Sequence, residues 1–355
     1  MAGNARAFQQ AVLSWYDRNG RKNLPWQTGR TPYAVWLSEI MLQQTQVATV
    51  IPYYLRFMTR FPDVATLSAA DLDEVLSAWS GLGYYARARH LHAAAGLIME
   101  RHQGRVPADL TALTKLPGIG RSTAGAILSL GYGMRAAILD GNVKRVLSRH
   151  FGVAGWPGHT PVSRALWQWS EDLTPEARVA DYNQAMMDLG ATTCIRKKPA
   201  CTVCPLQATC KALARGQVHE LPTPKPASVL PSRTCYLLIA VDRDGKVLLT
   251  RRPPTGLWGG LWVFPEFASL EDLINGALTL GLQAGQRFEH PPRRHTFSHY
   301  HLDYTPVHLP AVDRHATGIR ETPDQCWFAP GDSLAVPTPV RQLLNEIQAG
   351  TGMTE

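Results

Sequence analysis

Apolar residues return at helical spacing through the first two-thirds of the chain. Phe8, Val12, Leu13, Trp15 and Tyr16 mark one face of a first helix, and Leu24-Pro25-Trp26 breaks it. Thr31-Pro32 then opens a second helix with a capping hydroxyl and a proline in its first turn. That helix carries Val35, Trp36, Leu37, Ile40, Met41 and Leu42, with Glu39 set among them, and an uncharged polar run follows it, Gln43-Gln44-Thr45-Gln46. Helices and loops alternate to about Leu213, punctuated at Phe61-Pro62, Gly81-Leu82-Gly83 and Trp156-Pro157-Gly158. Strand periodicity is almost lacking here, so residues 1–220 are expected to form an all-α domain. From Leu221 to Ser232, Pro222, Pro224, Pro226 and Pro231 stand among small residues, which makes 221–232 a stiff linker. Beyond it the period changes. Cys235 to Val241 is rich in strand formers, Asp242-Arg243-Asp244-Gly245 can turn, and Val247-Leu248-Leu249 returns as a partner. Leu261 to Phe264 predicts another strand, Leu270 to Leu280 a helix, Thr296 to Leu309 one long strand, and Thr338 to Ile347 a last helix. Residues 233–350 are thus expected to be an α+β domain, and the fold class is multidomain.

Composition adds one thing to this picture, the placement of charge. Residues 1–220 hold 24 Lys/Arg against 15 Asp/Glu, whereas 221–355 hold 12 against 13. The whole positive excess lies in the helical part, where a polyanion would bind. No apolar run is long enough to span a bilayer, and the first residues lead into an amphipathic helix, not a signal peptide. This predicts an intracellular protein without a membrane partner.

The candidate chemistry begins with a hairpin. Leu110, Leu113 and Leu116 suggest a short helix that Pro117 ends, since proline lacks an N–H and restricts the residue before it. Gly118 and Gly120 are expected to turn the chain with positive φ and to bring backbone amides close to a ligand. The apolar run Ser122 to Leu130 then starts a new helix, whose positive end faces out of the turn and suits a phosphate. Further on, Ala136-Ala137-Ile138-Leu139 delivers Asp140 to the start of another helix, followed by Asn142, Lys144 and Arg145. Asp140 reads as an N-cap, as an anion near a DNA backbone, or as both. Glu39, on an apolar face, should be desolvated and hold its proton near neutral pH. One acid that stays protonated and one that stays charged is the division of labour by which glycosidic bonds are cleaved through an oxocarbenium-like transition state. Four of the six cysteines fall at Cys194, Cys201, Cys204 and Cys210, a C-x6-C-x2-C-x5-C spacing that can hold a zinc ion or a four-iron cluster.

Four stretches then carry a resemblance: Glu39-Ile40-Met41-Leu42-Gln43-Gln44-Thr45, Gly81-Leu82-Gly83-Tyr84-Tyr85, Leu116-Pro117-Gly118-Ile119-Gly120 and Leu139-Asp140-Gly141-Asn142-Val143-Lys144-Arg145. The chain resembles, over nearly its whole length, the MutY-type adenine DNA glycosylases of the helix-hairpin-helix DNA glycosylase superfamily. The resemblance implies an all-α glycosylase domain with a [4Fe-4S] loop at 194–210, then an α+β Nudix-like domain. It implies that adenine opposite 8-oxoguanine or guanine in double-stranded DNA is flipped out and released by base excision repair. In that scheme Glu39 protonates the purine and activates water, Asp140 stabilises the sugar cation, and Asn142 bonds in the same pocket. Gln43, Gln44, Thr45, Leu82, Tyr84, Gly118, Gly120, Ser122 and Lys144 would contact DNA, with Gln44 and Tyr84 filling or wedging the stack. The glycines around Leu82 suggest a protruding loop. Relatives that also cut the backbone, such as endonuclease III, carry a Schiff-base lysine where Ser122 stands here, and a hydroxyl cannot form an imine.

The second domain resembles the Nudix fold. Gly260 and Glu266 stand where its signature begins, but Ile274-Asn275 and Leu278-Thr279 replace the metal-binding Arg-Glu and Glu-Glu. It should bind and not hydrolyse, and Phe297-Ser298-His299 matches the loop that senses 8-oxoguanine, with Ser298 and His299 as contacts. The expected enzyme is a monofunctional glycosylase, monomeric, cytoplasmic and nucleoid-associated. The alternatives are a bifunctional endonuclease III-like glycosylase/lyase and a non-catalytic iron–sulfur DNA-binding protein.

Overall fold

The structure is a computed structural model that describes residues 2–227, 229–282, 287–312, 322–329, 332 and 334–350. Several stretches of the expected domain 233–350, and Ser228 of the expected linker, lie outside the described residues. The chain divides into two compact units, 1–70 with 89–227, and 71–88 with 228–355.

The first unit is helical: α1 (Ala2–Asn19), α2 (Pro32–Leu42), α3 (Val47–Arg60) and α4 (Val64–Ala69). α5 (Leu72–Ala78) falls in the second unit, and α6 (Ala86–His102) leads back. Then come α7 (Leu110–Thr114), α8 (Arg121–Ala126), α9 (Gly141–Phe151), α10 (Thr160–Leu173), α11 (Val179–Asp188) and α12 (Lys211–Ala214). α2 begins where the sequence predicts, with Thr31 accepting from the amide of Ala34 at 3.1 Å and Pro32 at the first position. It is buried on nearly every side, as a helix apolar all round must be. α8 runs on through a wider turn, Ile127–Gly131, and both pack on α2. The approach is close: a Cβ on Gly131 would lie 2.9 Å from the Cα of Pro32.

In the second unit β1 (Ser232–Asp242) is central. It pairs antiparallel with β2 (Val247–Arg251) across the predicted turn, and β2 pairs with β3 (Trp262–Val263). β1 also pairs antiparallel with β4 (Glu266–Phe267). After α13 (Leu270–Thr279) come β5 (Phe288–Glu289), β6 (Arg293–Thr296), β7 (His301–Val312), β8 (Gln325–Phe328) and α14 (Thr338–Gln348). β7 runs parallel to β1, Ser232 opposite His301, and β5 and β6 lie antiparallel to β7, while β8 adds to β2. Both faces of β1 are covered, which is why its sequence is a continuous apolar run. Cys235, Leu237 and Ile239 face a core shared with Val340, Leu343 and Leu344 of α14. Leu238 and Ala240 face one shared with Leu273 and Ala277 of α13.

The expected single strand from Thr296 to Leu309 is corrected to a hairpin, because Phe297 to Tyr300 turn the chain between β6 and β7. Segment 71–88 belongs to this unit through specific contacts. Asp73 pairs with Arg251 at 2.6 Å, the Tyr85 hydroxyl donates to the carbonyl of Val336 at 3.1 Å, and Arg341 donates to Ser80 at 3.2 Å.

Candidate active site and nucleic-acid interface

α2 brings Glu39 to the wall of a cavity of about 670 Å³ in the first unit, a size that suits a small organic ligand. Gln43, Thr45, Ser122, Asp140 and Asn142 stand on the same cavity. Burial pushes the Glu39 carboxyl up to about 8, and the negative charge of Asp140 acts in the same direction. Part of its surface stays open to the cavity.

Asp140 is the N-cap of α9. Its Oδ1 accepts from the amide of Val143 at 2.8 Å, and its Oδ2 accepts from Nδ2 of Asn142 at 2.9 Å. Two donors thus hold the Asp140 side chain at the positive end of a helix. Asn142 is itself fixed. Its Oδ1 accepts from Arg145 at 2.8 Å, and a Cβ on Gly190 would lie 2.6 Å from its own Cβ. Arg145 also donates to the carbonyls of Gly190 and Cys194, at 2.5 and 2.7 Å. Ser122 accepts from the amide of Leu139 at 2.9 Å, so its hydroxyl tethers the segment that delivers Asp140.

The remaining hairpin residues lie in the same unit but do not line the cavity. Gly118 has φ +76°, and a Cβ there would come within 2.9 Å of His90. Gly120 does not have the positive φ expected of it; at φ −87° and ψ 172° it caps α8 in extended geometry. A Cβ there would meet nothing within 4 Å, so the position faces open space. Gln43 donates to the carbonyl of Gly118 at 3.4 Å, and Gln44 is exposed with φ +60°. Lys144 is half-buried on α9.

The other predicted contacts belong to the second unit. Leu82 does not protrude: it is 5 % exposed, because the glycines on either side fold the chain back and turn its side chain inward. Tyr84, at φ +50° and 51 % exposed, is the prominent residue. Arg87 steadies that turn by donating to the carbonyls of Leu82 and Gly83 at 3.3 and 3.0 Å. Ser298 and His299 stand exposed on the β6–β7 turn. Beneath them Phe297 stacks on Tyr300, centroids 4.9 Å apart.

Cys194, Cys201, Cys204 and Cys210 line one further cavity. Among the described residues no group of three or more His, Cys, Asp or Glu side chains closes around a point for a single metal ion; the four cysteines are spread around a shared space. Burial raises the Cys204 thiol to about 11, and the other three sulfurs add to the rise. Arg149, itself buried, donates to the carbonyls of Cys194, Ile195 and Leu221 at 3.3, 2.7 and 2.8 Å and to the sulfur of Cys194 at 3.3 Å. The loop is therefore tied to α9, the helix that Asp140 caps.

Sequence reasoning missed Arg21 and Gln184, which also line the cavity beside Glu39. Arg21 follows the end of α1 and Gln184 sits on α11, and nothing local in either stretch announces a shared site.

Known proteins resemble the chain in sequence and fold. Residues 37–172 match the HhH-GPD superfamily of base excision DNA repair proteins, and residues 236–346 match the NUDIX domain. An adenine DNA glycosylase of Buchnera aphidicola subsp. Baizongia pistaciae is 36% identical over 343 residues, 96% of this chain and 97% of that protein. The chain belongs to the adenine DNA glycosylases. The adenine DNA glycosylase of Mus musculus is 38% identical, over 91% of this chain and 74% of its own length. A thermostable thymine-DNA glycosylase superimposes on 61% of the chain and all of its own, with a TM-score of 0.55 and 29% identity. This glycosylase therefore pairs a helical HhH-GPD domain with a strand-containing Nudix-like one. None of its described helices is long and apolar enough to cross a membrane.

Proposed function

We propose that the chain hydrolyses the N-glycosidic bond of adenine opposite 8-oxoguanine or guanine in duplex DNA, without efficient strand cleavage. The observation that carries this is Glu39 and Asp140 on one cavity, the first held protonated at neutral pH by burial and the second bonded as a carboxylate at a helix N-terminus. With adenine flipped into the cavity, the Glu39 proton passes to a ring nitrogen of the purine and the glycosidic electron pair leaves with the base. Asp140 then faces the sugar cation and stabilises it by charge, while ionised Glu39 takes a proton from the attacking water. Asn142 keeps the Asp140 carboxylate in place through its bond to Oδ2. No amine stands at Ser122 to capture C1′, so water adds to C1′ and leaves an abasic sugar in the intact strand.

Around that centre the amides from Gly118 to Ser122 would hold a phosphate, with Gln43, Gln44, Thr45 and Lys144 beside the flipped strand. Tyr84 would fill the stack, with Leu82 buried behind it. Ser298 and His299 would read the opposite purine. The four cysteines fit a [4Fe-4S] cluster: their side chains surround one shared space, and burial with the neighbouring sulfurs pushes the Cys201 and Cys204 thiols up, a cost that iron would offset by binding thiolates. Such a cluster would pin the loop that carries Arg196, Lys197 and Lys198. The enzyme would act as a monomer on nucleoid DNA in the cytoplasm.

The test is base release from duplexes with adenine opposite 8-oxoguanine, guanine or thymine. The expected order is 8-oxoguanine first, guanine second and thymine last with little or no release. Equal release from all three, or cleaved strands appearing as fast as free base, would overturn the reading.

A further inference from the structure

From Gly133 to Asp140 the chain enters no helix or strand. Buried backbone of that kind must find its hydrogen bonds elsewhere, and here side chains from three directions supply them. Asn183 on α11 donates from Nδ2 to the carbonyl of Ala136 at 2.9 Å and to the Ser129 hydroxyl at 2.7 Å. Ser129 spends its own proton on the carbonyl of Gly125 at 2.7 Å, so towards Asn183 it can only accept. Ser170 on α10 donates to the carbonyl of Ile138 at 2.7 Å, and the amide of Leu139 donates to Ser122 at 2.9 Å. Ser129, Ser170 and Asn183 are all buried. α8 presses on the same segment, where a Cβ on Gly125 would stand 2.1 Å from the carbonyl oxygen of Ala137. Val143 and Asn142 fix the Asp140 carboxylate relative to α9. The grip on residues 136–139 fixes the entry to α9 against α8, α10 and α11.

We infer that Ser170 and Asn183, neither of which touches the cavity of Glu39, are positioning residues for the sugar-cation step, because their bonds to Ile138 and Ala136 hold Asp140 where that cation forms. The inference rests on the proposed role of Asp140 and adds what keeps its carboxylate in place. The apolar side chains of Ala136 to Leu139 pack tolerably after a small slide of the segment, whereas a hydrogen bond of 2.7 Å does not survive one. Without either donor a buried carbonyl is left unsatisfied, and the segment relieves it by shifting towards other partners. Asp140 shifts with it. Stabilisation by charge falls with distance, and a displacement of about 1 Å can cost about a hundredfold in rate. Intact DNA carries no charge on the sugar ring, so its binding is spared.

The full-length chain is titrated with two duplexes that differ in one sugar opposite 8-oxoguanine. One carries a tetrahydrofuran ring, which is neutral, and the other a pyrrolidine ring, whose nitrogen is protonated at neutral pH. The ratio of the two Kd values isolates the attraction for a cationic sugar, and adenine release is followed in single turnover beside it. The native chain is expected to hold the cationic ring at least about tenfold more tightly. Ser170→Ala and Asn183→Leu should each cut that preference, and the rate of release, at least about tenfold. Their Kd for the tetrahydrofuran duplex should stay within about threefold of native. Thr174→Val removes another buried hydroxyl, bonded at 2.7 Å to the carbonyl of Ser170 and not to the segment, and should leave the preference alone. Equal weakening on both rings, or slower release with the preference intact, would show a merely structural role and overturn the inference. So would an unchanged ratio in Ser170→Ala, which decides the matter if Asn183→Leu fails to fold. A native chain that prefers neither ring would sink the proposed role of Asp140 and this inference with it, whereas a native preference that survives both substitutions sinks only the inference.

Discussion

Replacing Glu39 by glutamine removes one ionisable proton and keeps the size of the side chain. In the folded chain the carboxyl holds its proton up to about pH 8, against 4.5 for the free group. At pH 7 about nine-tenths of the molecules are protonated in the first case and about 0.3% in the second, so burial supplies roughly 300-fold more of the acid form. The sign of the stability effect follows. Below pH 4.5 the folded and unfolded chains are both protonated and nothing is lost. Between 4.5 and 8 the folded chain retains a proton that the unfolded one releases, so stability falls as pH rises, by up to ~1.4 kcal/mol per pH unit. Above 8 the loss is complete, at most ~5 kcal/mol and nearer ~2 because water in the cavity screens the charge. Glu39→Gln should therefore match the native chain in denaturant midpoint at pH 4.5 and exceed it at pH 9. Adenine release by the native chain should decline tenfold per unit above about pH 8, and the variant should lose release at every pH. The two chains would be compared by urea denaturation, followed through tryptophan fluorescence, and by single-turnover release between pH 5 and 9.5. Equal midpoints at pH 9, or release that stays flat to pH 9.5, would refute the assignment of this proton.

Three further outcomes are expected. Asp140→Asn keeps a residue that caps α9 well, so its stability should shift by less than ~1 kcal/mol; adenine release should still fall at least ~100-fold, and near-native turnover would remove Asp140 from the chemistry. Gly190→Ala forces a methyl to within 2.6 Å of Asn142; it should cost ~1–3 kcal/mol by overpacking and slow release by displacing Asn142, which a thermal melt and single-turnover rates would show. Arg149→Leu leaves the carbonyls of Ile195 and Leu221 without this donor, while that of Cys194 keeps Arg145, so a loss of ~3 kcal/mol and a lower iron content per chain are expected, and full iron with an unchanged melt would count against the tie.

What could be read from sequence was local. Thr31-Pro32 and Asp140 are caps, and caps are decided within four residues. Glu39 was legible because an acid inside an apolar helix is desolvated wherever that helix is buried. The turns were harder. Gly120 looks like a positive-φ glycine beside Gly118, yet helix capping sets it extended, and the glycines around Leu82 conceal a buried side chain while Tyr84 takes the exposed place. Phe297 to Tyr300 read as strand because three of its four residues, two aromatics and a histidine, are not turn formers, and Ser298 is the one common turn residue among them. Arg21 and Gln184 were out of reach, since they lie on separate segments and only tertiary packing brings both to the cavity of Glu39.

The excursion of residues 71–88 into the second unit has a consequence for synthesis. The partners of that segment begin 144 residues later, at Ser232. At ribosomal rates of about 5–20 residues per second this is an interval of roughly 7–30 s. Throughout it Asp73, Ser80 and Tyr85 have been made but Arg251, Arg341 and Val336 have not. The nascent helical part must wait, with one limb of its chain unsupported, for strands still to be translated.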